Sequence, residues 1–435
     1  MTTDAPLLAP DFRGDPYWWD AAPRPFIQPL PLPPRIDVAI VGSGITGLSA
    51  ALRLARAGRS VAVFDAGDPG IGASSRNAGF VGRTLKHEFG DILDRFGLER
   101  ARAVYGEMQA AFDAVTETVA AERIDCHLAI CGRVMAARTP RQYEALAREL
   151  ELRRRHLGND FAMLRGEELR REIGSDSFVG GALLPDLGSL HPGLYHLGLL
   201  DRAREAGVAI HGRTAVVALA TRRRGEIGVH TERGIVIARD ALVATNGYTG
   251  RAMPWLRRRV IPFNAFMIAT APLPQALLDR LLPRQRTYID CNFNVDAIRR
   301  SPDGTRILYC GRTGLNVSEP HAIARRLKAA LVAIFPELAD VPLSHAWTGR
   351  CAGTFDLYPH IGEQAGLHYA MGYCFAGVPM GTYLGRKAAA KILGAADGAT
   401  IFDALPFPSH FLYSGNPWFV PLAMRFYDWK DRRAA

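Results

Sequence analysis

The sequence predicts an α/β fold: a Rossmann-type nucleotide-binding domain, discontinuous along the chain, joined to a substrate domain built on an antiparallel sheet. Three observations predict it. The chain has 435 residues, more than one compact core usually holds, so two lobes are expected. A strand, a glycine-rich loop, a helix and a second strand follow one another between residues 37 and 64, which is a βαβ unit. Between about 261 and 311 short alternating runs separated by turn residues read as antiparallel strands.

The elements can be justified in order. Residues 1–35 are rich in proline and end in Gln28-Pro29-Leu30-Pro31-Leu32-Pro33-Pro34. Such a run is expected to lie on the fold as an extended arm, anchored by Tyr17, Trp18 and Trp19. Asp37-Val38-Ala39-Ile40-Val41 is apolar, branched and bounded by Pro and Gly, as a buried parallel strand would be. Residues 45–57 place Leu48, Leu52 and Ala55 on one helical face and stop at Gly58; residues 60–64 form the next strand. Helices are expected at 101–122 and 141–156, the latter with Tyr143, Leu146 and Leu150 on one face. Strands are expected at 208–210, 215–217, 234–243 and 306–310, the last after the turn Pro302-Asp303-Gly304, and a final helix at 385–393. The expected division gives residues 36–88, 160–258 and 345–395 to the nucleotide-binding domain and 89–159 and 259–344 to the substrate domain. Residues 396–435 form a C-terminal tail, and the site lies between the lobes.

Composition narrows the function. The chain is 48% hydrophobic and 22% charged, ordinary for a globular protein. No apolar run approaches the roughly 18 residues of a membrane-spanning helix, and the start MTTDAPLLAPDFRGD lacks the basic end and apolar core of a secretory signal. A cytoplasmic location is expected. Fifty-three basic against 43 acidic residues give a net charge of +10, but the charge is almost all arginine and is dispersed. Its short clusters, at 153–155, 222–224 and 257–259, read as solvated faces or as a field drawing acidic substrates. No zinc-finger spacing, RNA-binding signature or basic tail argues for nucleic acid. The six cysteines form no C-x-x-C pair and no metal spacing, so reduced thiols and no metal are expected.

Gly42-Ser43-Gly44-Ile45-Thr46-Gly47 carries the strongest chemical signal. In G-x-G-x-x-G the first glycine permits a tight turn and the second lets a pyrophosphate approach the backbone. The third lets the helix pack on the strand, while the helix N-terminus presents free N–H groups to phosphate. Asp65 ends the second strand, where an acid accepts from a ribose, and Ala66 follows it. FAD and NAD both use this unit. The small residues of Gly72-Ala73-Ser74-Ser75-Arg76-Asn77-Ala78-Gly79-Phe80 favour FAD: they let backbone N–H groups line a flat ring, and Arg76 can stabilise an anionic reduced flavin. Val216 and the strand-to-turn stretch Ala244-Thr245-Asn246-Gly247 are further cofactor contacts expected from position. An NAD(P)-dependent reductase or hydroxy-acid oxidoreductase, and a non-catalytic flavin-binding subunit, stay open on the residues alone.

These features together resemble the FAD-dependent amine and amino-acid oxidoreductases of the D-amino-acid oxidase-like family, in particular its γ-glutamylputrescine oxidase-like and glycine and sarcosine oxidase-like enzymes. The resemblance rests on Tyr17-Trp18-Trp19, the glycine unit, the GASSRNAGF loop, Gly188-Ser189-Leu190-His191-Pro192 and Ala244-Thr245-Asn246-Gly247-Tyr248. It continues through Trp347, Thr354-Phe355-Asp356, Pro359-His360-Ile361-Gly362 and Pro417-Trp418-Phe419. Two departures stand out. The usual Gly-Arg-Asn-Gly-Gly is Ser75-Arg76-Asn77-Ala78-Gly79, and the usual late Gly-His-Gly is Phe375-Ala376-Gly377. The backbone of Gly377, Val378, Pro379, Met380, Gly381 and Thr382 can still face a flavin.

The resemblance implies oxidation of the C–N bond of a primary or secondary amine or amino acid, with hydride transfer to flavin N5 and hydrolysis of the imine. His191 and Arg76 are the catalytic candidates it supplies, and Tyr248, Phe263, Phe293 and Trp347 are candidate pocket aromatics. The electron acceptor is oxygen or a quinone or other electron carrier. Some amine oxidases of the family place a lysine over the flavin to promote reaction with oxygen. This chain has no lysine between Lys86 and Lys328, which leaves Lys86 to approach from the segment after the GASSRNAGF loop. Cys351-Ala352-Gly353-Thr354 is similar in position to the segment where monomeric sarcosine oxidases carry a cysteine bonded to flavin. Cys351 is therefore a candidate covalent anchor, its thiolate to be favoured by Arg350.

Overall fold

The computed structural model describes residues 6–223, 225–311, 313–314 and 318–433; Arg224 of the 222–224 cluster lies outside them. Two large sheets organise the chain. The first has a parallel centre in which Arg35–Val41 lies between Val61–Phe64 and Gly234–Val243, with Ala209–His211 beyond Val61–Phe64. The C-terminal half of Gly234–Val243 pairs in parallel with Leu367–Met371, its N-terminal half in antiparallel with Glu226–Thr231. Val38, Ile40, Val61 and Val63 are fully or almost fully buried, as expected of strands covered on both faces. Helix Ile45–Arg56 crosses over one face, and Gly377–Leu393 packs against it. Close approach of these helices requires glycine at 385, where a Cβ would run into the Thr46 carbonyl oxygen.

The second sheet has nine strands and is largely antiparallel. Its middle is formed by Leu343–Gly353, Ile261–Thr270, Ile307–Gly311, Ala297–Arg300, Thr287–Asp290 and Arg133–Ala137, in that spatial order. One face packs on helix Pro320–Ile334 through Ile323, Leu327, Leu331 and Ile334. The other face turns toward the nucleotide-binding sheet and walls the site.

Several elements differ from the sequence expectations. The arm is not merely extended: Leu8–Arg13 pairs with Leu343–Gly353 as an edge strand, and Trp18–Ala21 is a short helix. Pro10 is tolerated there because an edge strand leaves one row of N–H positions unused. Trp18 is fully buried against Met267, Leu308 and Trp347, which fixes the arm. Strands Ala162–Leu164 and Gly180–Leu184 and most of Leu343–Gly353 fall in segments assigned by sequence to the nucleotide-binding domain, yet they pair within the nine-stranded sheet. Pairing partners lie far apart in the chain, so sequence texture does not disclose them. The helix expected at 101–122 begins at Phe89, with Gly97 at φ +82° marking a kink; the last core helix starts at Gly377 rather than 385. The tail contains helix Val420–Arg433. Among the described residues no helix is long and apolar enough to cross a membrane.

Candidate active site

A cavity of about 1210 Å³ runs from the N-terminus of helix Ile45–Arg56 to the inner face of the nine-stranded sheet. At its first end the wall is backbone. Gly42 has φ +105°, and a Cβ there would come 2.9 Å from the Ala244 carbonyl oxygen, so only glycine makes this turn without strain. A Cβ on Gly44 would sit 2.8 Å from Ser74 Oγ, and on Gly47 it would collide with the Gly42 carbonyl. The Ile45 N–H at the helix start donates to Ser74 Oγ at 3.0 Å, so the hydroxyl of the small-residue loop sits against the helix N-terminus. Asp65 accepts from the backbone N–H (2.9 Å) and hydroxyl (2.6 Å) of Ser43 through Oδ2, and from the Gly67 N–H through Oδ1 at 3.0 Å. The acid that ends the second strand therefore ties the glycine loop down as well as facing the cavity.

The middle of the cavity is lined by Ile71 through Ser74, Arg76 to Ala78, Ala244 to Asn246, and Gly377 to Pro379. Arg76 Nε donates to the Ile71 carbonyl at 2.7 Å and an Nη donates to the Thr348 carbonyl at 3.1 Å, with its guanidinium over Trp19. Burial holds its pKa below the ordinary value. Asn77 braces its own loop, accepting from the Gly79 N–H at 2.8 Å and donating to the Ser74 carbonyl at 3.0 Å.

The far end is made of side chains from distant segments. Met135, Ile289, Ala297, Cys310 and Met267 form an apolar row across adjacent strands of the nine-stranded sheet. Lys86 Nζ donates to the Phe293 carbonyl at 3.0 Å and lies over the Phe293 and Phe375 rings; desolvation pushes its pKa down to about 8. Arg133 donates from Nε to Thr287 Oγ1 at 3.2 Å, and burial lowers its pKa to about 10. Neither cation lies within ion-pair distance of a described carboxylate. Asp290, also in the wall, is bridged to Asp296 by Arg138 at 2.9 Å on each side. Burial, followed by the charge of Asp296, raises the Asp290 pKa. Helix Val420–Arg433 closes this end: Tyr427 stacks on Phe293 at 3.6 Å, and Asp431 accepts from the Phe293 N–H at 3.1 Å.

Several sequence candidates sit elsewhere. His191 does not line the cavity; its Nδ1 accepts from the Leu194 N–H at 3.1 Å and caps helix Pro192–Glu205. Burial first, then His127 and Arg299, push its pKa down to about 4, so it is neutral near pH 7. Ser43, Gly47, Ser75, Gly79, Gly247, Met380, Gly381 and Thr382 stand behind the cavity wall, while Ala66 and Val216 line it. Tyr248 and Phe293 line it too. Trp347 is buried and donates to the Arg76 carbonyl at 2.9 Å, and Phe263 packs on Phe375. Cys351 reaches the wall, but burial pushes its thiol up to about 12, opposite to the activation expected from Arg350; the Arg350 guanidinium lies instead over Tyr248. Arg153 departs from the solvated-face reading, for it pairs with Glu149 at 2.6 Å and borders the cavity. Sequence reasoning missed Arg133, Asp290 and Tyr427. The spacing of Asp290 and Asp296 was visible; nothing local marked the other two.

The glycine cradle, the helix N-terminus that faces the cavity and the length of the cavity suit an elongated dinucleotide such as FAD. The chain is 30% identical over 402 residues to the gamma-glutamylputrescine oxidoreductase of Escherichia coli, covering 91% of this chain and 93% of that protein. It is 29% identical over 407 residues to a probable oxidoreductase OrdL of Haemophilus influenzae, covering 92% of each. Among solved structures, glycine oxidase from Geobacillus kaustophilus superposes with a TM-score of 0.73 at 22% identity, over 87% of this chain and 99% of that one. The L-proline dehydrogenase of P. horikoshii gives 0.70 at 19%, over 85% and 96%. The family described as FAD dependent oxidoreductase matches residues 37–391. The chain belongs to that family and is an FAD-dependent oxidoreductase of its amine and amino-acid oxidase kind.

Proposed function

We propose that this protein oxidises the C–N bond of a primary or secondary amine or amino acid, most consistently one that carries a carboxylate. The observation that carries the reading is the far end of the cavity, where an apolar floor lies beside two cations, Lys86 and Arg133, with no carboxylate within ion-pair distance among the described residues. Bound FAD supplies the hydride acceptor at flavin N5, and the imine product is hydrolysed by water. The chain's own residues bind, orient and exclude solvent. Gly42, Gly44, Ile45 and Thr46 are assigned to the pyrophosphate and Asp65 and Ala66 to the ribose side. Ser74, Arg76, Asn77, Ala78, Thr245, Asn246 and Gly377 to Pro379 are assigned to the flavin region. Met135, Ile289, Ala297 and Cys310 keep the reacting carbon dry. A substrate that arrives as the neutral amine needs no strong base, which accords with the absence of His191 from the wall.

The domain division read from the sequence is kept as a proposal with one adjustment: the strands of the nine-stranded sheet, wherever they fall in sequence, belong with the substrate domain. A cytoplasmic location and an acceptor that is oxygen or a quinone-type carrier belong to the same reading. The test is anaerobic mixing of the purified yellow protein with amines, including N-acylated diamines and glycine derivatives. Bleaching of the visible flavin bands by one of them, with release of ammonia or a smaller amine, is the expected result. A flavoprotein whose spectrum no amine or amino acid alters, but which a hydroxy acid or NAD(P)H reduces, would overturn the reading.

A further inference from the structure

The N-terminal arm touches the nucleotide end of the cavity at two points. Trp19 Nε1 donates to Ser75 Oγ at 2.9 Å, and that hydroxyl donates to the Gly70 carbonyl at 2.5 Å. Arg24 reaches deeper. Its Nη1 donates to Nδ1 of His196 at 3.1 Å, and His196 Nε2 lies 2.8 Å from the carbonyl oxygen of Ser43, inside the glycine turn. A guanidinium only donates and a carbonyl only accepts, so the imidazole is neutral with its proton on Nε2. Burial first, then the charge of Arg24, push the His196 pKa down to about 4, in agreement with that tautomer. Other Arg24 donors go to the carbonyls of Ala22 and Gly193, at 2.6 and 3.2 Å. The pair fits because residue 70 is glycine at φ +80°: a Cβ there would sit 2.3 Å from the His196 ring and 2.7 Å from the Arg24 guanidinium.

We infer that His196, held in this tautomer by Arg24, is a positioning residue for the cofactor: it orients the Ser43–Gly44 peptide so that the Gly44 N–H donates to the pyrophosphate of FAD. The role rests on the assignment of Gly44 to the pyrophosphate. In a trans peptide the C=O and N–H point to opposite sides. Fixing the Ser43 carbonyl on His196 therefore turns the Gly44 N–H away from it, and Gly44, unlike Ser43 and His196, lines the cavity. That N–H makes no hydrogen bond among the described residues. Asp65 takes the Ser43 N–H on the other side, so both peptides flanking Ser43 are held and need not reorganise when an anion binds. Each bond in the chain from the Arg24 cation to the Gly44 N–H also polarises the next, which strengthens that N–H as a donor.

The experiment is titration of the full-length apoprotein with FAD, followed by flavin fluorescence, alongside the melting temperature of each apoprotein. His196→Leu is expected to raise the Kd for FAD about tenfold. His196→Gln, whose amide still donates to Ser43, is expected to stay within about threefold of wild type. Arg24→Leu is expected to raise the Kd about fivefold in the wild-type background and to add nothing in His196→Leu, because Arg24 acts through the imidazole. Should leucine at 196 prevent folding, Arg24→Leu on its own and His196→Gln carry the test. Wild-type affinity in His196→Leu or Arg24→Leu overturns the role. So does His196→Gln as weak as the leucine variant, or an Arg24 effect that persists without the imidazole, since packing would then account for the loss. Gly44→Val protein that keeps its flavin would overturn the assignment of the cradle and this role with it. Gly44→Val protein without flavin, beside His196 variants of wild-type affinity, would reject the positioning role alone.

Discussion

The two ends of the cavity are built on opposite plans. The nucleotide end is backbone, held by glycines and small residues within one stretch of sequence, and its donors are N–H groups of a turn and a helix start. The far end is side chains from the 86, 133, 290 and 427 regions, brought together by a sheet and by the C-terminal helix. Backbone recognition suits a ligand whose phosphates offer only oxygen acceptors; side-chain recognition suits the particular shape and charge of a substrate. The contrast also appears in titration. At the far end burial moves the Lys86 and Asp290 pKa values toward neutrality, whereas the first end relies on fixed dipoles.

The strongest way to break the first end alone is Gly44→Val. Its branched Cβ would enter the space next to Ser74 Oγ, and the purified protein is expected to be colourless and not to take up added FAD. Retention of full flavin would show the cradle to be misplaced. Asp65→Ala should act less severely, weakening FAD by about 1.5–3 kcal/mol, the value of a hydrogen bond to a charged group; flavin titration of the apoprotein measures it. Part of that loss comes through Ser43 and Gly67, which Asp65 holds.

The far end is sharpened by pH. The Lys86 ammonium is expected to be charged below its lowered pKa of about 8 and neutral above it. Affinity for a carboxylated amine should therefore fall as pH rises through that region, while an uncharged amine of the same shape should not show this loss. Lys86→Gln should remove the step and weaken the carboxylated substrate by about tenfold, as one charged hydrogen bond is worth. A step that survives in the variant would assign it to another group.

Two substitutions should leave both ends working. His191→Ala removes the acceptor for the Leu194 N–H, costing about 0.5–2 kcal/mol of stability and lowering the melting temperature, with the reduction rate of the flavin unchanged. A large loss of rate at full flavin content would restore His191 to the chemistry. The smallest effect is expected from Cys351→Ala. With its thiol pushed up to about 12, the flavin of the wild type should be released by acid precipitation, as it is from the variant. Yellow colour retained in the washed wild-type pellet, and lost on substitution, would establish a covalent bond.

The sequence by itself determined the parallel βαβ unit, the glycine cradle, the acid at the end of the second strand and the alternation that becomes antiparallel sheet. Each is dictated by residues close together in the chain: Gly42 by a φ only glycine adopts freely, and strand 234–243 by its own apolar pattern. The tertiary structure alone decided that strands 162–164 and 180–184 join the nine-stranded sheet, that Leu8–Arg13 forms its edge, and that His191 caps a helix while Arg133 reaches the cavity. It also placed the C-terminal helix over Phe293, with Tyr427 inward and Leu422 and Phe426 exposed. Strand pairing and side-chain convergence depend on which distant surfaces bury one another, and a histidine or arginine looks the same in sequence whether it faces a helix end or a substrate.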